Sequence, residues 1–160
     1  MKRLSFLLLF TFIALLSFAQ AKYVFYFIGD GMGPNQVLAA EMYQAALQGK
    51  IGRIPLCMTQ FPYSGQASTF SASDGITDSA AAGTCLASGK KTDNGMIGQT
   101  PDGEFAYSVA SQLKEQGWAI GIMTSVPVDH ATPASHYAHA EKRYEYYKIG
   151  THLSLSGFEF

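Results

Sequence analysis

Ser79 follows Asp78 directly and begins a run of alanine and glycine that extends to Gly83. Thr77 or Asp78 can cap a helix here, and the small residues that follow have the propensity to continue it. A serine hydroxyl at a helix N-terminus lies among free backbone N–H groups, at the positive end of the helix dipole, where an anion such as phosphate is favoured. The small side chains leave room either for a ligand above the serine or for a closely packed helix. The segment predicts a serine at an anion-binding helix N-terminus, with an ordinary capped helix as the alternative.

Two further segments place polar side chains where a predicted strand ends. Residues 23–28 form an apolar, β-branched and aromatic run that predicts a buried strand, and Asp30 follows it between glycines. A second predicted strand, residues 119–124, runs into a segment that contains His130 and Thr132. Ligands of open α/β sheets bind at the carboxyl ends of the strands. These three side chains are therefore candidates for a binding site.

Taken together, these segments resemble the alkaline phosphatases. The serine signature of that family is matched by residues 76–84, and its metal-binding aspartate motif by residues 27–33. Its third segment is matched by residues 130–134 and 137–139, with Arg143 after them. Three motifs in the family's order are far more specific than any one of them.

The resemblance implies a role for each matched residue. Ser79 would be the nucleophile that becomes phosphorylated and a zinc ligand, and Arg143 would clamp two phosphate oxygens. A planar guanidinium suits this task better than a lysine ammonium does. Asp78 would orient the arginine, Asp30 would bind zinc and magnesium, and Thr132 would bind magnesium. The implied cofactors are Zn and Mg.

His130 has two open interpretations. Magnesium prefers oxygen ligands, so contact with the magnesium site through a bound water is expected, and a local hydrogen bond beside Thr132 has equal weight. None of the four histidines follows the spacing of a zinc cluster. A catalytic zinc takes three protein ligands, whereas Asp30 and Ser79 supply two. The chain by itself is not expected to assemble a two-zinc centre.

The N-terminus predicts export. A basic start is followed by residues 4–18 without a charge, and Ala19 and Ala21 fit a signal-peptidase site, with cleavage after Ala21 or after Ala19. The apolar run is shorter than the ~20 residues that span a membrane, so no stable anchor is expected after cleavage. A periplasmic or secreted protein is predicted. Cys57 and Cys85 could pair or remain as small buried thiols.

The alternation of predicted strands and helices indicates an α/β fold, with a mostly parallel central sheet and helices on both of its faces. Helices are predicted from Pro34 to about Gln48, over residues 79–88 with Gly89 as the stop, and over residues 107–116. The last eight residues look like the entry into another strand or turn. Since members of the family are two to three times longer, the sheet is expected to be incomplete and the chain truncated.

These expectations define two functions. The first is an exported phosphomonoesterase that hydrolyses phosphate monoesters through a phosphoserine, with residues 1–21 as signal peptide and residues 22–160 as the N-terminal part of the catalytic domain. The resemblance also suggests a homodimer. The second is an inactive truncated fragment that binds at most phosphate or a single metal ion. The net charge of −1 argues against a nucleic-acid partner recruited by bulk charge.

Overall fold

The structure, a computed structural model, describes residues 21–159. The chain divides into two compact units, Met1–Gly31 and Met32–Phe160. The predicted signal peptide lies outside the described residues except for Ala21. Among the helices that the structure describes, none combines the length and the apolar character needed to cross a membrane.

The predicted mostly parallel central sheet, with helices on both faces, is wrong for the described residues. Between residues 21 and 159 the only β-pairings are two isolated antiparallel bridges, Ile97 with Ala140 and Gln99 with Phe105. The runs 23–28 and 119–124 have no regular secondary structure. An apolar, β-branched run favours an extended conformation, but a strand exists only when a neighbouring strand takes up its hydrogen bonds.

The bonding of Ile120 shows what replaces the predicted second strand. Its carbonyl accepts the main-chain N–H of Glu159 at 2.9 Å, and its own N–H donates to the Glu159 carboxylate at 2.8 Å. A single residue near the end of the described chain therefore occupies the backbone groups that a strand partner would use. In the first unit, the side chains of residues 23–27 are 59–87% exposed.

Helices dominate the second unit. In chain order they are α1 (Pro34–Leu47), a 3-10 helix (Cys57–Gln60), α2 (Ser79–Ser88), α3 (Val109–Glu115), α4 (Ala131–Ala134) and α5 (Tyr146–Leu155). The first, second and third predicted helices are confirmed as α1, α2 and α3. The third begins at Val109 because Ser108 caps it by accepting the N–H of Ser111. The predicted strand or turn at the end of the chain is wrong in part, since α5 extends to Leu155.

Residues next to α2 in the sequence determine where this helix begins and ends. The Asp78 carboxylate caps the helix by accepting the N–H of Ala81 at 2.9 Å. At the other end Gly89 adopts a left-handed conformation with φ of 73°, and its N–H donates to the Cys85 carbonyl. Glycine reaches this conformation without the penalty that a Cβ imposes. The start of α2, and with it Ser79, is therefore fixed by its own sequence.

The small residues of α2 serve helix packing. A Cβ built on Gly83 would collide with the Ser135 side chain and would come within 3.7 Å of the Thr132 Cα. The second of the two uses predicted for the small residues, close packing, is the one observed. The core around this contact consists of buried, mostly small residues: Ala80, Ile97, Ala131, Ala134, Tyr137, Ala138, Ala140 and Ile149. Close contact between α2 and α4 thus sets the distance between their backbones.

Helix α1 is tied to the segment after it by Glu41, which is 1% exposed. Its carboxylate accepts the Thr59 hydroxyl at 2.6 Å, the Leu56 N–H at 3.0 Å and the Arg53 guanidinium at 3.2 Å. The Thr59 and Leu56 hydrogen bonds, helped by Arg53, hold the pKa of Glu41 below its usual value of 4.5 although burial opposes them. Glu41 is therefore ionised at neutral pH and fully bonded.

Candidate active site

An ion pair lies at the N-terminal end of α2. The Arg143 Nη1 donates to the Asp78 Oδ2 at 3.0 Å, across 65 residues of sequence. Both side chains are about a quarter to a third exposed, at 26% for Asp78 and 30% for Arg143. The other carboxylate oxygen, Oδ1, caps the helix. One side chain thus starts the helix and also holds the guanidinium there.

The turn over residues 93–96 bonds to both members of this pair. The Gly95 N–H donates to the Asp78 Oδ2 at 3.1 Å, and the Gly95 carbonyl accepts the Arg143 main-chain N–H at 2.7 Å. Asn94 accepts the Asp78 N–H on its Oδ1 at 3.0 Å and donates through Nδ2 to the Ile76 carbonyl at 2.9 Å. Asn94-Gly95 is a turn signal in the sequence, but nothing in its spacing indicates these partners.

His130 contacts the same guanidinium. Its Nε2 lies 3.3 Å from the Arg143 Nη2. Because a guanidinium only donates hydrogen bonds, Nε2 must be the acceptor and Nδ1 must carry the proton. Within residues 21–159, that Nδ1 is buried and has no hydrogen-bond partner. Neither interpretation drawn from the sequence included this contact with Arg143.

Ser79 is the first residue of α2 and is half-buried. Its hydroxyl makes no hydrogen bond to any residue in the described part of the chain. Both oxygens of the neighbouring Asp78 carboxylate, by contrast, accept hydrogen bonds. Arg143 has five N–H donors, of which one reaches Asp78 and one reaches His130, so donors remain for an anion. A serine oxygen, a guanidinium and a helix N-terminus are the groups that bind a phosphoryl group.

The two remaining candidates are Asp30 and Thr132. Asp30 is exposed and belongs to the first unit, Met1–Gly31. Thr132 is half-buried in α4, where its carbonyl accepts the Ser135 hydroxyl at 2.8 Å. The structure therefore brings Ser79, Asp78, Arg143 and His130 together through α2 and its bonds, and it places Thr132 on the helix that packs against α2.

The described residues do not fit a zinc site by themselves. Between residues 21 and 159, no three His, Cys, Asp or Glu side chains converge on a point where they could hold a metal ion. His139 and His152 do approach each other, but the His152 Nδ1 accepts the His139 main-chain N–H at 3.1 Å and is not available as a ligand. Cys57 is exposed, Cys85 is half-buried, and both are free thiols in this structure.

The buried Tyr137 and the half-buried His136 support the segment that carries His130. The Tyr137 hydroxyl donates to the Val128 carbonyl at 2.6 Å. Burial and the nearby Asp129 charge raise the pKa of Tyr137 to about 12, so the hydroxyl stays a donor. Burial also lowers the pKa of His136, in spite of hydrogen bonds to Thr132 and Pro133 that oppose the shift. Both side chains are uncharged at neutral pH and bond to main-chain carbonyls of this segment.

Comparison with known proteins decides the family. The sequence model of the family described as Alkaline phosphatase matches residues 21–154. The chain belongs to the alkaline phosphatase family. Among curated relatives, the tissue-nonspecific alkaline phosphatase of Gallus gallus is 35% identical over 141 residues, which cover 81% of this chain and 27% of the relative. The alkaline phosphatase of Gadus morhua is 33% identical over 135 residues, covering 78% and 28%.

Solved alkaline phosphatases have similar structures. That of Thermus thermophilus superimposes with a TM-score of 0.74 at 30% identity, covering 82% of this chain and 28% of its own. The enzyme of the Antarctic bacterium TAB5 gives 0.69 at 30% identity, covering 83% and 36%. A mutant of the TAB5 enzyme has Mg bound in its M3 site. The chain thus spans between a quarter and two fifths of the length of these four alkaline phosphatases.

Proposed function

We propose that this protein is a phosphomonoesterase that hydrolyses phosphate monoesters through a phosphoserine at Ser79. The observation that carries the proposal is the Arg143 guanidinium, held at the N-terminal end of the serine's helix by the Asp78 carboxylate at 3.0 Å. The family supports the same reaction, since the curated relatives are named alkaline phosphatases.

The residues of the chain have separate tasks in this reaction. The Ser79 oxygen loses its proton and forms a bond to phosphorus while the bond from phosphorus to the substrate oxygen breaks, and the substrate oxygen takes up a proton and leaves as the alcohol. A water oxygen then bonds to phosphorus while the bond to the Ser79 oxygen breaks, which releases phosphate and restores the serine hydroxyl. Negative charge spreads over the phosphoryl oxygens during each transfer. The free Arg143 donors would bind those oxygens, and Asp78 would prevent the guanidinium from turning away. The N-terminus of α2 adds a positive potential in the same place.

Zinc and magnesium belong to the proposal as the family resemblance implies them. Asp30 and Ser79 are the candidate zinc ligands in this chain, and Asp30, Thr132 and His130 are the candidates for magnesium, with His130 acting through water. These residues complete neither site, so further ligands would have to come from outside the described residues. A metal ion supplies the activation that a serine hydroxyl needs as a nucleophile.

A second candidate function is a protein that binds phosphate, or a single metal ion, without turnover. It is favoured by the fact that no three-ligand cluster exists among residues 21–159. The partial coverage of the relatives is compatible with it. In either case we propose a periplasmic or secreted location, because of the uncharged run at residues 4–18, and a homodimer, because of the family resemblance.

The decisive experiment traps the phosphoenzyme. The protein, expressed from its own gene, is given zinc, magnesium and p-nitrophenyl phosphate, then quenched in acid and mapped by mass spectrometry. Phosphate on Ser79, lost in Ser79→Ala and retained in the exposed-serine control Ser64→Ala, supports the phosphomonoesterase. Phosphate on another serine contradicts the assignment. Phosphate binding without turnover or phosphoserine supports the second candidate.

A further inference from the structure

Asn94 and Gly95 stand apart from the other residues of the site because none of their groups is a candidate to touch substrate. Their five hydrogen bonds all go to the segment before α2, which includes Ser73, or to Arg143. We propose that Asn94 and Gly95 are positioning residues that hold the Asp78 carboxylate and the Arg143 backbone in one fixed arrangement. This inference rests on the proposed phosphomonoesterase function and specifies what sets the geometry of its phosphate clamp.

The ion pair between Asp78 and Arg143 is partly exposed to water. A pair that is about a quarter to a third exposed is screened by water, and such pairs on their own hold two side chains only weakly. The Asp78 Oδ2 accepts a second hydrogen bond from Gly95, on the same oxygen that binds Arg143. Because a main-chain N–H has no rotamer freedom, that bond fixes where the oxygen lies.

The same peptide segment also fixes the other partner. The Gly95 carbonyl accepts the Arg143 main-chain N–H at 2.7 Å, so one glycine bonds to the acid side chain and to the arginine backbone. Asn94 bonds to the N–H of Asp78 and to the carbonyl of Ile76, which fixes the chain that enters α2. The Asp78 carboxylate and the Arg143 backbone are thus both hydrogen-bonded to the same turn.

That turn depends on a glycine conformation. The Met96 N–H donates to the Asp93 carbonyl at 3.1 Å, and Gly95 has φ of +88°, as the third residue of a type II turn requires. A Cβ on Gly95 would meet nothing within 4 Å. An alanine at position 95 would therefore disturb the backbone conformation alone, without a steric clash.

The chain offers a matched control for this substitution. Gly103 has φ of +85°, and a Cβ there would also meet nothing within 4 Å. Its N–H closes a turn with Thr100 and bonds to neither Asp78 nor Arg143. Gly95→Ala and Gly103→Ala should therefore lose similar stability, but only the first should change the phosphate clamp.

The experiment measures the affinity for inorganic phosphate by calorimetry, product inhibition by phosphate, and kcat and KM, in the protein expressed from its own gene. Gly95→Ala should weaken phosphate binding and lower kcat/KM on the order of tenfold, and Gly103→Ala should leave both unchanged. Asn94→Ala, compared with the exposed Asn35→Ala, should show a smaller loss in the same direction and serves if Gly95→Ala fails to fold.

A double-mutant cycle separates positioning from general destabilisation. If Gly95 acts through Arg143, Gly95→Ala should add nothing to the phosphate-affinity loss of Arg143→Ala. Additive losses, or unchanged phosphate affinity in both Gly95→Ala and Asn94→Ala, would overturn the inference while the phosphomonoesterase stands. A wild-type protein that neither hydrolyses phosphate monoesters nor binds phosphate would overturn both.

Discussion

The start of α2 and the segment that carries Asp30 differ in how their backbone and side chains are held. At the start of α2, the single residue Asp78 forms hydrogen bonds with Ala81, Asn94, Gly95 and Arg143. In the other segment, residues 23–27 leave 59–87% of each apolar side chain exposed and have no strand neighbour among the described residues. A capped helix end is complete within a few residues, whereas a strand needs a partner from elsewhere in the chain.

The largest expected effect tests that difference on residues 22–160 produced without any further polypeptide that the gene encodes. With zinc and magnesium added, this segment should show no phosphomonoesterase activity above background, because residues 21–159 hold no three-ligand metal cluster. The exposed apolar run at residues 23–27 should also make it bind a hydrophobic dye. Turnover and dye fluorescence are the measurements. If the segment bound zinc, were active and did not bind the dye, the run at residues 23–27 would need no partner from elsewhere, and the two regions would not differ in this way.

The next effect concerns the guanidinium. Arg143→Ala should weaken inhibition by inorganic phosphate about ten- to a hundredfold, since a hydrogen bond to a charged group contributes ~1.5–3 kcal/mol. Arg143→Lys should recover only part of the loss, because an ammonium cannot form the planar two-pronged contact. Inhibition constants measure this in the protein expressed from its own gene. Arg53→Ala is the control, since Arg53 bonds to Glu41, and equal losses in both variants would contradict a specific clamp.

A smaller effect concerns the double use of Asp78. Asp78→Ala removes the cap of α2 and should destabilise the protein by about 0.5–2 kcal/mol. Asp78→Asn keeps an acceptor for the Ala81 N–H but removes the charge that holds Arg143. We expect Asn to restore much of the stability and little of the phosphate affinity. Urea unfolding measures the helix cap, and phosphate titration measures the hold on Arg143. If Asp78→Asn recovered stability and phosphate affinity to the same extent, the charge of Asp78 would not be needed to hold Arg143.

The smallest effect is a pH dependence at α1, far in sequence from the serine. Glu41 has a folded pKa below its usual value of 4.5, so its contribution is present above that value and is lost as the pH falls through the folded pKa. Glu41→Gln should therefore be less stable than the wild type at neutral pH, and the gap should narrow on acidification. The urea concentration at the midpoint of unfolding, measured for both proteins from neutral pH to below pH 4.5, tests this. A stability difference that does not change with pH would exclude the ionised Glu41 carboxylate as its cause.

The boundaries of α2 were predictable because their signals are local. Asp78 and Gly89 stand at the two ends, and each acts through bonds to residues of the same helix. Pro34 marks the start of α1 in the same way. The sheet was mispredicted because the apolar runs at 23–28 and 119–124 indicate extended chain and contain no information on which segment will pair with them.

The composition of the site was predictable only in part. The family motifs single out Ser79 and Arg143, but the turn at Asn94 and Gly95 bonds to Asp78 across 16 and 17 residues. The contact between His130 and Arg143 likewise joins residues 13 apart, with α4 between them in the sequence. Such contacts depend on how helices and turns pack, and neither residue type nor spacing in one sequence specifies them.

Gly83 has a consequence for the position of the proposed nucleophile, Ser79. It lies four residues after Ser79, on the same face of α2 and about 6 Å along the axis. Since a Cβ on that face would collide with the Ser135 side chain, one added methyl group would displace either Ser135 or α2, and a displacement of α2 would carry the Ser79 oxygen with it. The position of the proposed nucleophile, Ser79, thus depends on the absence of a side chain one helical turn away.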